Sequence, residues 1–491
     1  MSYASLVTSF TKLYRYQHLA AIAGWDQAAM MPENGNDARG AAMAELAVLM
    51  HETLTAPSLT AAFASAREQV TDDVERASLR EMTRQWQSAN LLPASLVEAK
   101  SLAGSKCEHA WRTQRKKNDW AGFLENWRPV VACARQEATL LAEATGLSKY
   151  DALVDRFEPG MTSARIEPLF SDLKSWLPEL VATVVAKQAK ETVLEATGPF
   201  PVAAQRALGL EIMQRLGFDF AAGRLDVSTH PFCGGVAEDV RITTRYRDDD
   251  FVQAMMGIVH ETGHARYEQR LPRAWVHLPL GQARSMGVHE SQSLSFEMQL
   301  GRSRPFLASI APLVTKHLGS QPAFGADNLA KTYTRVKRGF IRVDADELTY
   351  PLHVILRFEI ERALIEGEIE PDDVPAMWNA KMTASLGLST DGNYEDGCLQ
   401  DIHWTDGAFG YFPSYTLGAM YAAQYFAAIR AQTPDLDARI ERGDLGPIFT
   451  WLETNIWSQA SRWETTELIQ RATGESLSAR HFEAHLRARY L

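Results

Sequence analysis

Met255-Met256-Gly257-Ile258-Val259-His260-Glu261-Thr262-Gly263-His264 places H-E-x-x-H inside an apolar stretch with helical periodicity. Side chains four residues apart leave one helix face a turn apart, so His260 and His264 point the same way. Two imidazoles so placed close on one Zn2+ at about 2.0–2.1 Å. Glu261, one residue on, is too poorly aimed to be a third ligand but reaches a water that the metal holds. Zinc brings the pKa of such a water toward neutrality, and the carboxylate takes its proton as it attacks a carbonyl. Read instead as core residues of a plain helix, the two histidines lie on the otherwise apolar face of Val252, Met256 and Val259. There they need buried partners, which makes that reading costly.

A third ligand is expected downstream. Glu290, in Gly287-Val288-His289-Glu290-Ser291-Gln292, lies 26 residues past His264. That gap accommodates a loop over Leu271–Gly287 and a returning antiparallel helix. Two histidines and a glutamate form a catalytic ligand set that leaves a fourth position for water. His289 either orients Glu290 or caps its helix. His481-Phe482-Glu483-Ala484-His485 also spaces two histidines by four, but no glutamate follows the first and only six residues remain. It reads as a surface helix.

Outward from the motif, three- and four-residue apolar spacing continues in both directions. It predicts helices over about 1–27, 41–53, 71–91, 94–115, 118–145, 163–193 and 201–217 before the motif, and over 249–270, 288–301, 328–341, 351–367, 414–432 and 444–474 from it onward. One stretch breaks the pattern: Arg224–Tyr246, with Gly234-Gly235 and the alternating Val240-Arg241-Ile242-Thr243-Thr244, reads as a small strand or hairpin. There is no low-complexity linker and no repeat. The expectation is a mainly α protein, a single catalytic domain over 1–491, with a helical lobe at 1–200 and the zinc-bearing lobe at 201–491.

Composition narrows the function. The chain has 491 residues, 46% hydrophobic and 23% charged, with a net charge of −11. An acidic balance argues against a general nucleic-acid or anionic-membrane binder. Four separated cysteines, Cys107, Cys133, Cys233 and Cys398, form no Cys-x-x-Cys pair, so neither a disulfide framework nor a thiolate zinc site is expected. No run reaches the length of a membrane span and the first 27 residues carry no basic leader. The expected location is the cytoplasm.

The ordered motifs resemble the carboxypeptidase Taq family of zinc metallocarboxypeptidases. His230-Pro231-Phe232 is similar to its H-P-F, Asp239–Thr243 to D-x-R-x-T, and His289–Gln292 to H-E-S/G-Q. Ile341–Asp346 is similar to I-R-x-x-A-D, and Gly397–Trp404 to G-x-x-Q-D-x-H-W. Gly410–Gly418, Trp25-Asp26-Gln27 and Glu158-Pro159-Gly160 also resemble family segments, so the likeness runs from about residue 20 to 425. Arg266 departs from the pattern, standing where an apolar residue is usual, and Cys398 replaces a common aliphatic. The resemblance implies a large helical body with a small β-sheet beside a deep active-site groove, and a homodimer. It also implies release of single C-terminal residues from peptides with broad specificity.

Under that resemblance His260, His264 and Glu290 hold zinc, or cobalt or manganese in its place, and Glu261 is general base and then acid. An exopeptidase must also bind a free α-carboxylate, which suits the bidentate fork of arginine; Arg342 is the family-matched candidate. His403, Tyr411 and Tyr415 are donors to that carboxylate or to the tetrahedral oxyanion, with Tyr415 the choice for the oxyanion. His230 and Arg241 shape the groove wall, and Asp346 and Asp401 support the site from behind. The rival enzyme reading is an oligo-endopeptidase or dipeptidyl-carboxypeptidase of related helical fold. The remote one is a non-catalytic helical scaffold with structural zinc.

Overall fold

The computed structural model describes residues 2–491, except for the side chain of Glu33. Its first part is helical: α1 (Tyr3–Ala29), α2 (Asn36–Thr55), α3 (Pro57–Gln69), α4 (Asp73–Leu91), α5 (Ala94–Gln114), α6 (Trp120–Thr145), α7 (Lys149–Phe157), α8 (Ser163–Gln188) and α9 (Val202–Arg215). Local chemistry sets the ends. The Asp72 carboxylate accepts from the first-turn amides of Val74 and Glu75, and Gly146 takes the left-handed conformation that closes α6.

A three-stranded sheet follows: β1 (Gly223–Val227), β2 (Cys233–Val236) and β3 (Asp239–Thr244), in the order β1-β3-β2. β1 runs parallel to β3 with Leu225 opposite Ile242, and β2 runs antiparallel with Gly235 opposite Val240. The alternation of Val240 and Ile242 turns both into a small core with Met213, Leu225, Ile258 and Ala265. That core seats the back of α10 (Val252–Gln269) on the sheet, while Val259 on another face joins the principal core. Twelve of the 18 residues of α10 are buried, so it is packed almost all round.

The remaining helices are α11 (Met286–Leu294), α12 (Arg304–Leu318), α13 (Ala326–Tyr333), α14 (Tyr350–Glu366), α15 (Val374–Leu386), α16 (Pro413–Gln432), α17 (Leu436–Glu441), α18 (Gly446–Asn455), α19 (Thr465–Thr473) and α20 (Ala479–Tyr490). The principal core runs from Cys107 to Tyr490, and a smaller one joins α1, α3 and α4 to Leu278. The chain is mainly α, with only this small sheet among the described residues.

Several sequence expectations need correction. The helix expected over 328–341 stops at Tyr333, because the Gln188 amide donates to the Thr334 carbonyl and accepts from the Val336 amide, holding that segment out of helix. The helix expected over 444–474 breaks after Asn455. There Trp457 turns inward to donate to Gln292 (2.7 Å), and the Ser461 amide donates to the Leu280 carbonyl. The run 288–301 divides into α11 and a π-helical stretch, Ser295–Gly301. The His481–His485 segment is no surface helix: α20 buries Phe482, Leu486 and Tyr490, and His485 bonds the fully buried Glu347. Arg266 is accommodated by donating to the Gly217 carbonyl (2.6 Å) while its guanidinium lies 5.2 Å from the rings of both Phe449 and Trp457.

Candidate active site

α10 and α11 meet closely at Gly263, where a Cβ would sit 2.5 Å from the Gln292 carbonyl oxygen. α16 reaches α11 in the same way at Gly418, where a Cβ would sit 2.9 Å from Glu290 Cβ. These approaches bring His260, His264 and Glu290 together, with one donor atom from each lying within 4.8 Å of the others. His264 Nε2 stands 3.5 Å from Glu290 Oε2. Two ligands on one tetrahedral zinc ion are about 3.3–3.5 Å apart, so the donors have the spacing of a metal cradle.

The other ring nitrogens are committed elsewhere. His260 Nδ1 donates to Glu297 Oε2 (2.8 Å), and Arg302 holds that carboxylate from behind (2.5 Å). Glu268 accepts from His289 Nε2 (2.8 Å), which leaves His289 Nδ1 to accept from His264 Nδ1 (2.7 Å); the His289 carbonyl lies 3.1 Å from the same nitrogen. Both histidines are thereby fixed in the tautomer that presents Nε2 to the cradle. His289 therefore orients His264, rather than orienting Glu290 or capping the helix; the cap is Ser285, whose hydroxyl accepts from the Val288 amide.

The charges suit a cation. Burial above all pushes His264 well below its ordinary value and keeps it neutral, the form that can bind a metal. Burial works against a charged His260, but the Glu297 hydrogen bond and the carboxylates of Glu290, Glu297 and Glu261 outweigh it and raise it to about 10. A metal ion held by these donors would take the place of that proton. Burial also opposes the Glu297 carboxylate, yet Arg302 and His260 hold it down at about 2. Glu261, 7% exposed, is pushed up by burial to about 7, with His260 pulling the other way.

A second cluster gathers the expected recognition residues. Arg342, 5% exposed, donates from Nε to Asp401 (2.9 Å) and from one terminal nitrogen to the Tyr350 hydroxyl (2.7 Å). Its guanidinium lies 5.0 Å from the Tyr415 ring. His403 Nε2 meets the Tyr415 hydroxyl (3.1 Å), and the Tyr411 ring lies 5.2 Å from that of Tyr415. Burial, only partly offset by Asp401, lowers His403 to about 4 and leaves it neutral. Tyr415 is in the first turn of α16 and Gly418 one turn further, so the cluster begins about 5 Å along the helix from the contact with Glu290.

Asp401 is shared by Arg342 and Arg357 (2.6 Å from Arg357 Nε), whereas Asp346 accepts from the amides of Lys337, Leu348 and Thr349 and shapes the turn into α14. Arg241 pairs with Asp239 (2.7 Å) and lies 4.4 Å from the Trp25 ring of α1. His230 is exposed, and its carbonyl accepts from the Ser228 hydroxyl. Among the described residues, no hydrogen bond ties His230 or Arg241 to either cluster. Sequence reasoning missed Glu297, Arg302, Glu268 and Arg357. Glu297 had a signal: it lies seven residues, two turns, past Glu290, where a carboxylate partner for a ligand histidine is to be sought.

A mainly α body with two histidines on one helix, a carboxylate beside the first and a glutamate from the next helix defines a metallopeptidase. The sequence profile of the carboxypeptidase Taq (M32) metallopeptidases matches residues 5–490, and the chain belongs to that family. It is a metallocarboxypeptidase, a peptide hydrolase acting at C-termini. It is 38% identical over 484 residues to thermostable carboxypeptidase 1 of Thermus thermophilus, covering 96% of this chain and 95% of that one. Its fold superposes on that of metallocarboxypeptidase 1 of Trypanosoma cruzi with a TM-score of 0.98, at 50% identity and 99% coverage of both chains. An M32 carboxypeptidase from Deinococcus radiodurans gives a TM-score of 0.94 at 32% identity, covering 99% of this chain and 98% of that one.

Proposed function

We propose that this protein removes single C-terminal residues from peptides, with broad specificity, using zinc held by His260, His264 and Glu290. One observation carries the exopeptidase reading: two buried guanidiniums, Arg342 and Arg357, share the single carboxylate of Asp401 beside the cradle. A buried surplus of positive charge needs an anion, and the α-carboxylate of a peptide supplies one. Among the described residues, the second terminal nitrogen of Arg342 has no protein hydrogen bond, which suits bidentate capture.

When bound, the metal supplies Lewis acidity toward the scissile carbonyl and toward water. Glu261 takes the proton of the attacking water and returns it to the leaving amine; its upward shift suits both roles. The Tyr415 hydroxyl, oriented by His403, donates to the oxyanion, and Tyr411 lines the same wall. His230 and Arg241 border the groove farther out. Cobalt or manganese can fill the same donor set, so occupancy follows supply as well as ligands. The whole chain acts as one catalytic unit and pairs as a homodimer. Its four free cysteines suit a reducing compartment, the cytoplasm.

Mass spectrometry of a digested peptide pool tests this reading. A ladder of one-residue losses from free C-termini is expected. Internal cleavage or loss of dipeptides overturns it in favour of an endopeptidase or dipeptidyl-carboxypeptidase.

A further inference from the structure

Away from the metal centre, α4 carries Arg76, Arg80 and Arg84, one per helical turn along a single face. With Arg67 at the end of α3 and Arg284 before α11, they line a cavity of about 540 Å3. That volume lies in the usual range for small-molecule sites, about 300–1,000 Å3. Five guanidiniums face two carboxylates, Glu81 and Glu464, in this lining, although the chain as a whole has a net charge of −11.

Arg80 donates to the Ser461 (3.0 Å) and Arg462 (3.1 Å) carbonyls and Arg76 to that of Thr71, so the uncommitted donors are those of Arg67, Arg84 and Arg284. Glu81 is shared between Arg80 (2.8 Å) and Arg284 (2.9 Å). Arg84 uses only one terminal nitrogen, on Asp155 (2.6 Å) and its carbonyl, and Arg76 pairs with Asp73 at the exposed rim. Among the described residues Arg67 has no ion pair. The Arg284 side chain is 4% exposed, and its buried Nε has no hydrogen-bond partner. A buried cationic donor left unpaired is costly.

We propose that this cavity binds a small phosphate-bearing anion. Several guanidinium forks around one space suit the many acceptor oxygens of phosphate. Val70 and Leu79 add apolar wall for an organic portion. None of the proposed metal donors, nor Glu261 or Arg342, lines the cavity.

Isothermal titration of the metal-loaded, full-length protein with inorganic pyrophosphate at low ionic strength tests the site. Saturable binding with a Kd of about 1 mM or tighter is expected. Arg67→Ala and Arg84→Gln should each weaken it about tenfold, the loss of one charge-assisted hydrogen bond. Arg67 is exposed, so unchanged peptide hydrolysis by Arg67→Ala confirms that the variant is folded. Both variants keep the metal donors, so equal binding by variants and parent means that pyrophosphate is held by the metal, and the proposal falls. Absence of saturable binding, or binding only of an acidic peptide, also overturns it. A parallel titration with a nucleoside diphosphate separates the sources. Arginine-dependent binding tighter than that of pyrophosphate identifies an organic phosphate, and equal affinity identifies inorganic phosphate.

Discussion

Around His260 and His264, the carboxylates of Glu261, Glu290 and Glu297 gather against one guanidinium, that of Arg302. Around Asp401, the guanidiniums of Arg342 and Arg357 gather against one carboxylate. The two halves touch through α16, yet their charge imbalances are opposite. Burial makes each imbalance expensive unless the missing charge arrives. The first half is built for a cation and the second for an anion. Under the proposed function, a peptide C-terminus beside a bound metal ion would satisfy both, its carboxylate meeting the guanidiniums and its last peptide-bond carbonyl facing the metal donors.

The most severe test of this division is Glu261→Gln. The change keeps the shape of the first half and removes the proton acceptor. A fall in kcat of about 10²- to 10⁴-fold is expected, with metal content unchanged by elemental analysis. Retained turnover would show that the base lies elsewhere. Next comes Arg342→Ala, which strips the surplus charge from the second half. Cutting a buried charge contact costs about 2–5 kcal/mol, so kcat/KM for free-carboxylate peptides should drop at least thirtyfold. C-terminally amidated peptides, which never used that charge, should be hydrolysed as poorly as before. Equal losses on both would make Arg342 a structural residue.

The halves also differ in how well the sequence announces them. His260, His264 and Glu290 follow from helical spacing plus one loop-and-return, because their geometry is local to two consecutive helices. Arg342, His403, Tyr411 and Tyr415 come from separate loops and a helix start, and only family motifs singled them out. Arg357 escaped notice: it lies within the mostly apolar run Leu352–Phe358, and what matters about it, the sharing of Asp401, is a contact across 44 residues. The sheet was legible as a strand region through Val240 and Ile242. The ends of the helices expected over 328–341 and 444–474 were not, because distant side chains, Gln188 and Gln292, decide them.

Glu297 sharpens the cation half on its own. Glu297→Gln keeps an acceptor for His260 Nδ1 but removes the charge that Arg302 supports. Metal affinity measured by chelator competition should fall about 10- to 100-fold, while the KM of the metal-loaded variant should change little, which distinguishes it from Arg342→Ala. An unchanged affinity would assign the negative surplus to Glu290 and Glu261 alone.

The smallest effect is expected furthest from the donors. Arg489 of α20 donates to the carbonyls of Met298 and Gln299, in the π-helical stretch that carries Glu297, and pairs with the buried Glu347 (3.0 Å). His485 and Tyr490 bond the same carboxylate. Arg489→Met should therefore loosen Glu297 and weaken metal binding by about 0.5–2 kcal/mol, less than the direct loss of Glu297. Burial opposes the Glu347 charge, but Arg489 and His485 override it and hold the carboxyl well below the usual range. A depressed folded value means that this stabilisation is present above the unfolded carboxylate pKa, about 4.3, and is lost as the pH falls through the folded value. Glu347→Gln should lower thermal stability near neutrality, where the ionised carboxylate is stabilising, and flatten the further fall below about pH 4.3. An undiminished acid dependence would place the acid-labile charge elsewhere, for instance at Asp401, and would move the weak point on acidification from the cation half to the anion half.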